Sequence, residues 1–145
     1  MVDFPSWMEL VSIVHPNFPL LELDEELEKY KQVLIKNINR KSAISVALGN
    51  EIVGVLLFSY KQNCLSCMAV HPKHRKNGIA TAMIDKMLSV LATDRNIWVM
   101  TFRDNDEKGA APRALYKKFG FVEGELVTEH GYPHQKFILY RDSLV

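Results

Sequence analysis

Apolar residues fall into two rhythms along the chain, and the changes of rhythm divide it into elements. An apolar stretch at residues 4–14 (Phe4, Trp7, Met8, Leu10, Val11, Val14) suits a short helix opening at Pro5, which Pro16 and Pro19 end. From Asp24, a fitting N-cap, Leu27, Tyr30, Leu34 and Ile38 recur in steps of three and four and predict a helix to about Asn39. Two β-rich runs follow, Ala43–Leu48 and Ile52–Tyr60, and Gly49-Asn50-Glu51 between them predicts a hairpin. Cys64–Val70, after Lys61-Gln62-Asn63, makes a third antiparallel strand, which His71-Pro72 ends. Ile79, Met83, Ile84, Met87, Leu88 and Leu91 mark one face of a helix from about Gly78 to Ala92, and Ile97–Phe102 reads as a short strand. Pro112 suits the first turn of another helix and Gly120 its end, while Phe121–Thr128 and Gln135–Tyr140 read as a closing pair of strands.

A strand–helix–strand unit inside an otherwise antiparallel sheet predicts an α/β (α+β) fold with a mixed, mostly antiparallel sheet. The 145 residues show no repeat, no linker and no shift of composition, so one domain is expected over residues 1–145. Hydrophobic residues at 48% and aromatics at 10% exclude a disordered chain. Eighteen Lys+Arg against seventeen Asp+Glu leave +1, which argues against a nucleic-acid partner. An RNA- or ribosome-associated role would rest on Lys73–Lys76 alone.

The longest apolar stretch, Ile52–Tyr60, is about half of a bilayer span, so no membrane partner is expected. The first residues lack the basic and apolar regions of a signal peptide, and a cytoplasmic location is the expectation. Cys64 and Cys67 spell C-x-x-C, but residues three apart on a strand point to opposite faces. With no second pair to complete a metal site, neither metal binding nor redox function is expected of them.

The chemistry concentrates between the third strand and the next helix. A strand ends at Val70, a basic loop carries Lys73, Arg75 and Lys76, and a helix begins near Gly78. N–H groups at a helix start have no intrahelical partner, and their partial positive charge favours phosphate. Gly78 permits close backbone approach, and the small Ala80 and Thr81 leave the first turn uncrowded. A single glycine and no Gly-Lys-Ser/Thr exclude a P-loop, and taken alone the segment is equally an ordinary turn with a solvated basic loop.

Val70-His71-Pro72-x-x-Arg75-x-x-Gly78-x-Ala80 resembles the acetyl-CoA pyrophosphate motif of the GNAT N-acetyltransferases, Arg/Gln-x-x-Gly-x-Gly/Ala. About forty residues on, Ala114-Leu-Tyr-Lys-Lys-Phe-Gly-Phe121 resembles that family's second signature, a helix ending in Gly-Phe. The resemblance covers roughly residues 42–140 in the family's order of elements. It implies the GNAT fold, with helices on both faces of the sheet and a V-shaped splay between the two central strands, Cys64–Val70 and Ile97–Phe102. It also implies an acetyl-CoA-dependent N-acetyltransferase in which a primary amine of a small molecule or peptide attacks directly in a ternary complex.

The same resemblance implies that backbone amides of Arg75, Lys76, Gly78, Ile79 and Ala80 hold the pyrophosphate, with Asn77 and Thr81 in the same turn. Met68, Ala69 and Val70 would pair with the pantetheine arm, and an N–H near Val70 would stabilise the developing oxyanion. Tyr116 matches the family's general acid; a phenol is protonated at neutral pH and could donate to the departing thiolate. Its plainer reading is a core tyrosine on an amphipathic helix.

Where the family often has Asn and Ala, seven and four residues before the tyrosine, this chain has Gly109 and Pro112, and Asn105 is a substitute for the pantetheine contact. A base for the acceptor amine would come from Glu51, Asp104, Glu129 or His130, each also readable as surface charge. Arg103–Lys108 and Glu129–Gln135 are either polar loops or parts of an acceptor pocket, and His71 reads as structural or solvated. The rival to an enzyme is a catalytically silent acyl-CoA-binding module of the same fold. A homodimer could form through an exposed edge at the C-terminal strand.

Overall fold

The computed structural model describes residues 7, 8, 10, 24–75, 77–129 and 131–141. Its elements run α1 (Asp24–Asn39), β1 (Ala43–Leu48), β2 (Glu51–Ser59), β3 (Cys64–Val70), α2 (Ile79–Val90), β4 (Ile97–Phe102), α3 (Ala110–Lys118), β5 (Val122–Glu129) and β6 (Tyr132–Leu139). Short 3-10 turns at Pro72–His74 and Glu107–Gly109 precede α2 and α3. The strands are ordered β1-β2-β3-β4-β6-β5, antiparallel at β1/β2, β4/β6 and β6/β5 and parallel at β3/β4. The fold is therefore the mixed, mostly antiparallel α/β architecture that the sequence pattern predicts. Of the apolar N-terminal stretch, Trp7, Met8 and Leu10 are helical, and the rest lies outside the described residues. No helix among the described residues is long and apolar enough to cross a membrane.

The chain divides into two compact units, residues 1–59 with 67–90 and residues 60–66 with 91–145. In the first, β1 and β2 form the expected hairpin, joined by Gly49-Asn50 alone because Glu51 pairs with Leu48. Val46 pairs with Gly54 but Ala47 pairs with Ile52, so Val53 is an extra residue bulged out of β2. The bulge brings Ile52 onto the face of Val55 and Leu57, where all three are buried with Trp7, Leu10 and Leu34. Gly54 turns to the other face. A Cβ on it would lie 2.6 Å from Ile79 Cγ2 and 3.2 Å from Met83 Cε, so the missing side chain lets α2 pack directly on β2. Ile79, Met83, Ile84 and Met87 form the buried stripe of α2.

In the second unit β3 pairs with β4 through Cys64↔Trp98 and Leu65↔Val99. Trp98 also draws its N–H to Asn63 O and its Nε1–H to Gln62 O, while Asn63 Nδ2 reaches Asn96 O at 3.1 Å. The C-terminal strand differs from expectation twice. It begins at Tyr132 rather than Gln135, because Glu129 pairs with Tyr132 and Thr128 with Pro133 around a turn at residues 130–131. Pro133 is tolerated because the ladder to β4 begins only at His134, so no bond to β4 needs its missing N–H. Nor is the strand a sheet edge: β6 bonds to β4 on one side and β5 on the other, which removes the edge a dimer was expected to use. The exposed edge here is β5, with Val122 and Leu126 open to solvent.

Candidate functional site

The loop from His71 to Gly78 is built in two steps. His71 ends β3 by donating its N–H to Val53 O at 2.8 Å, the carbonyl of the β2 bulge. Its Nδ1 then accepts the Lys73 N–H at 3.1 Å, and its carbonyl accepts from His74 N at 2.9 Å, closing the 3-10 turn. Pro72 opens that turn, where no N–H is required. Arg75 is extended, and Gly78 takes φ +78, a left-handed conformation that suits glycine. Nothing lies within 4 Å of a Cβ built on Gly78.

Ala82 N donates to Gly78 O at 3.0 Å, which is the first bond of α2. The N–H groups of Gly78, Ile79, Ala80 and Thr81 are thus the four that the helix leaves without an internal acceptor. Arg75, Asn77 and Lys73 beside them are exposed, and the described residues expected to hold a pyrophosphate lie together at this helix start. Lys76 lies outside the described residues. Met68, Ala69 and Val70 end β3 immediately before the loop, each half-buried. Because the His71 N–H is committed to Val53, it is not the donor available to an oxyanion; the neighbouring Val70 N–H is the one the expectation concerns.

In the second unit, α3 carries Tyr116 with 4% of its surface exposed, its ring centroid 5.8 Å from Phe121 and 6.1 Å from Phe137. Gly120 N donates to Lys117 O and Phe121 N to Tyr116 O, both at 3.0 Å, with Gly120 at φ +95. This is a Schellman C-cap with its hydrophobic contact, and it gives the helix–Gly–Phe signature a mechanical meaning. Pro112 is the third residue of α3, where its missing N–H costs nothing. A Cβ on Gly109 would meet Phe102 O at 3.0 Å and Arg103 O at 3.1 Å, so an asparagine does not fit that place without backbone movement.

Sequence reasoning passed over Arg113, which is buried and clamps α3 to three strands. Its guanidinium donates to Phe102 O at 3.2 Å, Gln135 Oε1 at 2.7 Å and Glu123 Oε1 at 3.0 Å, and lies 4.9 Å from the Phe137 ring centroid. The Lys117 ammonium, seconded by Arg113, holds the Glu123 carboxyl below the usual carboxylate range.

Asn105 lines an open cavity of about 580 Å³ with Arg103, Asp106, Glu107, Lys108, Tyr132 and Pro133. Both candidate pocket segments meet there, although Tyr132 and Pro133 come from a strand rather than a loop. Asp106 accepts the Lys108 N–H at 3.0 Å and the Tyr132 hydroxyl at 2.9 Å, and these bonds hold its carboxyl below the usual value. Among the base candidates, Glu51 lies 3.7 Å from His71 Nε2 and Asp104 is exposed. Glu129 ends β5, and His130 lies outside the described residues.

The two cysteines have separate surroundings. Cys64 is buried near Gln62 Oε1 at 3.8 Å. Cys67 packs in the apolar cluster of the first unit, and burial pushes its thiol up to about 11 against a hydrogen bond from Tyr30. Tyr30 in turn accepts the Trp7 Nε1–H at 3.0 Å, and burial raises its own phenol.

Residues 40–123 match the acetyltransferase (GNAT) domain family. No curated protein matches the sequence. Among solved structures, a GNAT-family acetyltransferase from Bacillus cereus is 22% identical, covers 96% of this chain and 91% of its own, and superposes with a TM-score of 0.68. An N-acetyltransferase from Staphylococcus aureus is 17% identical over 94% of this chain and 95% of its own, with a TM-score of 0.71. A ribosomal L7/L12 α-N-protein acetyltransferase, solved with coenzyme A, is 16% identical over 97% of this chain and 90% of its own, with a TM-score of 0.66. These likenesses establish the fold, and the family match spans more than half of the residues, so the chain belongs to the GNAT acetyltransferase family.

Proposed function

We propose that this protein is an acetyl-CoA-dependent N-acetyltransferase that acetylates a primary amine by direct attack in a ternary complex. The observation that carries the reading is the start of α2, where an exposed Gly78 at φ +78 opens a helix whose first four N–H groups have no internal acceptor, beside the exposed, basic Lys73 and Arg75. That arrangement suits the pyrophosphate of coenzyme A. A structural relative was solved with that molecule. Acetyl-CoA supplies the acetyl group as an activated thioester.

In this reading the amides of Arg75, Lys76, Gly78, Ile79 and Ala80, with Asn77 and Thr81, hold the pyrophosphate. Met68, Ala69 and Val70 offer a strand backbone to the pantetheine arm, and Asn105 is kept as a polar contact. Tyr116 is the proton donor to the departing thiolate. The proton lost by the amine goes to Glu51, Asp104, Glu129 or His130. Cys67 takes no covalent part, because a thiol raised to about 11 is almost wholly protonated at neutral pH.

A second reading, a silent acyl-CoA-binding module, is favoured by the burial of Tyr116 and by the absence of room for a side chain at Gly109. Calorimetric titration with acetyl-CoA, coenzyme A and a 3′-dephospho analogue tests the shared half of both readings. Thiol release from acetyl-CoA over a panel of polyamines, aminoglycosides, amino acids and peptides then separates them. Micromolar binding with turnover supports the enzyme, binding without turnover on any amine supports the module, and no binding up to millimolar refutes both.

A further inference from the structure

We propose that His71 is a positioning residue for the anion-binding loop, acting through Nδ1 as the acceptor that fixes the turn before Gly78. This rests on the functional reading given above, because it assigns the loop to the pyrophosphate. His71 is 8% exposed and is held at three points, each set by a different part of the residue. The backbone N–H is bonded to the Val53 carbonyl in the β2 bulge at 2.8 Å. The carbonyl accepts from His74 N at 2.9 Å, and ring Nδ1 accepts from Lys73 N at 3.1 Å. Ring Nε2 lies 3.7 Å from Glu51 Oε1, and the His74 ring stands edge-on at 5.4 Å.

An Nδ1 that accepts carries no proton, so the ring proton sits on Nε2, on the side of Glu51. The bulge anchors the loop to β2, and the Nδ1 cap decides how the chain leaves that anchor. Only four residues separate the 3-10 turn Pro72–His74 from Ile79, the first residue of α2. A change of direction at Lys73 is therefore carried into the amides of Arg75, Asn77 and Gly78. The second contact, Nε2 to Glu51, is long and solvent-facing and does not hold the loop.

The two ring nitrogens can be tested separately. In His71→Asn the side-chain oxygen occupies the place of Nδ1 and can accept from the residue two ahead, as in an Asx turn. In His71→Gln the amide nitrogen takes the place of Nε2 and the acceptor is lost. The expected result is acetyl-CoA affinity and KM near wild type in His71→Asn, and about tenfold weaker in His71→Gln, with kcat for a saturating amine little changed in both. Amide exchange at Lys73 should be slow in wild type and His71→Asn and fast in His71→Gln.

Equal acetyl-CoA affinity in the two variants, whether both weak or both normal, overturns the role of Nδ1 while leaving the site standing. A wild type that binds no acetyl-CoA overturns the site and the role together. Fast Lys73 exchange in wild type overturns the cap itself, whatever the affinity.

Discussion

Phe121 donates its backbone N–H to the carbonyl of Tyr116 at 3.0 Å while the two rings meet at 5.8 Å. One pair of residues therefore ends α3, starts the chain toward β5 and fixes the rotation of the tyrosine. Gly120 between them is the residue that makes the reversal possible, at φ +95. The spacing of the signature is thus set by capping geometry, and the tyrosine's chemistry is a separate question that mutation can answer.

Tyr116→Phe keeps the ring against Phe121 and Phe137 and removes only the hydroxyl. If the phenol is the proton donor, kcat should fall about a hundredfold with a small change in KM, and by more than any accompanying loss of stability accounts for. Steady-state kinetics beside thermal unfolding decides the matter. An unchanged kcat would return Tyr116 to the core.

Gly78→Ala and Gly78→Asn separate backbone conformation from crowding. A Cβ there meets nothing within 4 Å in the protein, so any effect of alanine on stability comes from φ +78. Alanine should cost about 1 kcal/mol of stability and weaken acetyl-CoA binding, while asparagine, which tolerates the left-handed region, should do less on both counts. Urea unfolding and calorimetric titration of the two variants provide the comparison. Equal losses would show that the site needs the absence of a side chain rather than the backbone angle.

The order of elements and the two ends that matter, Gly78 and Gly120, were legible because glycine placement and apolar period report local backbone geometry. β6 was misread at its start because Gly131 and Pro133 are local turn signals. Tertiary pairing overrode them: Thr128 and Glu129 pair with Pro133 and Tyr132 before β4 is reached. The β2 bulge was invisible because both faces of that strand are buried, leaving no polar alternation to shift register at Val53. Gly54 did carry a signal, since a lone glycine inside a strand marks a bulge or a close approach, and here it sits beside one and makes the other. Arg113 gives no sign of its role in the sequence, and His71 reads only as structural or solvated, because their partners come from distant parts of the chain or from backbone atoms.

Gly54→Ala should destabilise the protein by about 1–3 kcal/mol, because its Cβ would lie 2.6 Å from Ile79 Cγ2 at the first residue of α2. Ile79→Ala removes that methyl and should make the second substitution cheaper. The double-mutant cycle by urea unfolding should give a coupling of about 1 kcal/mol or more, favouring the pair. Additive costs would mean that α2 shifts as a body to relieve the contact.

Arg113→Met fills much of the same space but leaves Phe102 O and Gln135 Oε1 without their charged donor. The cost should be about 2–4 kcal/mol. Arg113→Lys should recover only part of it, since an ammonium cannot fork to Phe102, Gln135 and Glu123 together. Urea midpoints of the three proteins test this ordering. A lysine variant as stable as wild type would show that charge alone, and not the planar fork, holds α3.

The raised thiol of Cys67 predicts a loss of stability in alkali. Burial lifts it from an ordinary value of 9.0 to about 11, so between these limits the unfolded chain gives up the proton and the folded chain keeps it. The unfolded state then binds fewer protons, and stability must fall as pH rises, by up to about 1.4 kcal/mol per pH unit within the window. Cys67→Ala removes this dependence but leaves that of Tyr30, whose phenol burial also raises. The stability advantage of wild type over Cys67→Ala should therefore shrink by about 2 kcal/mol between pH 8.5 and pH 11 in urea unfolding. A constant difference across that range would mean that the thiol ionises as readily folded as unfolded, and that the apolar cluster around Trp7, Tyr30 and Leu34 does not seal it.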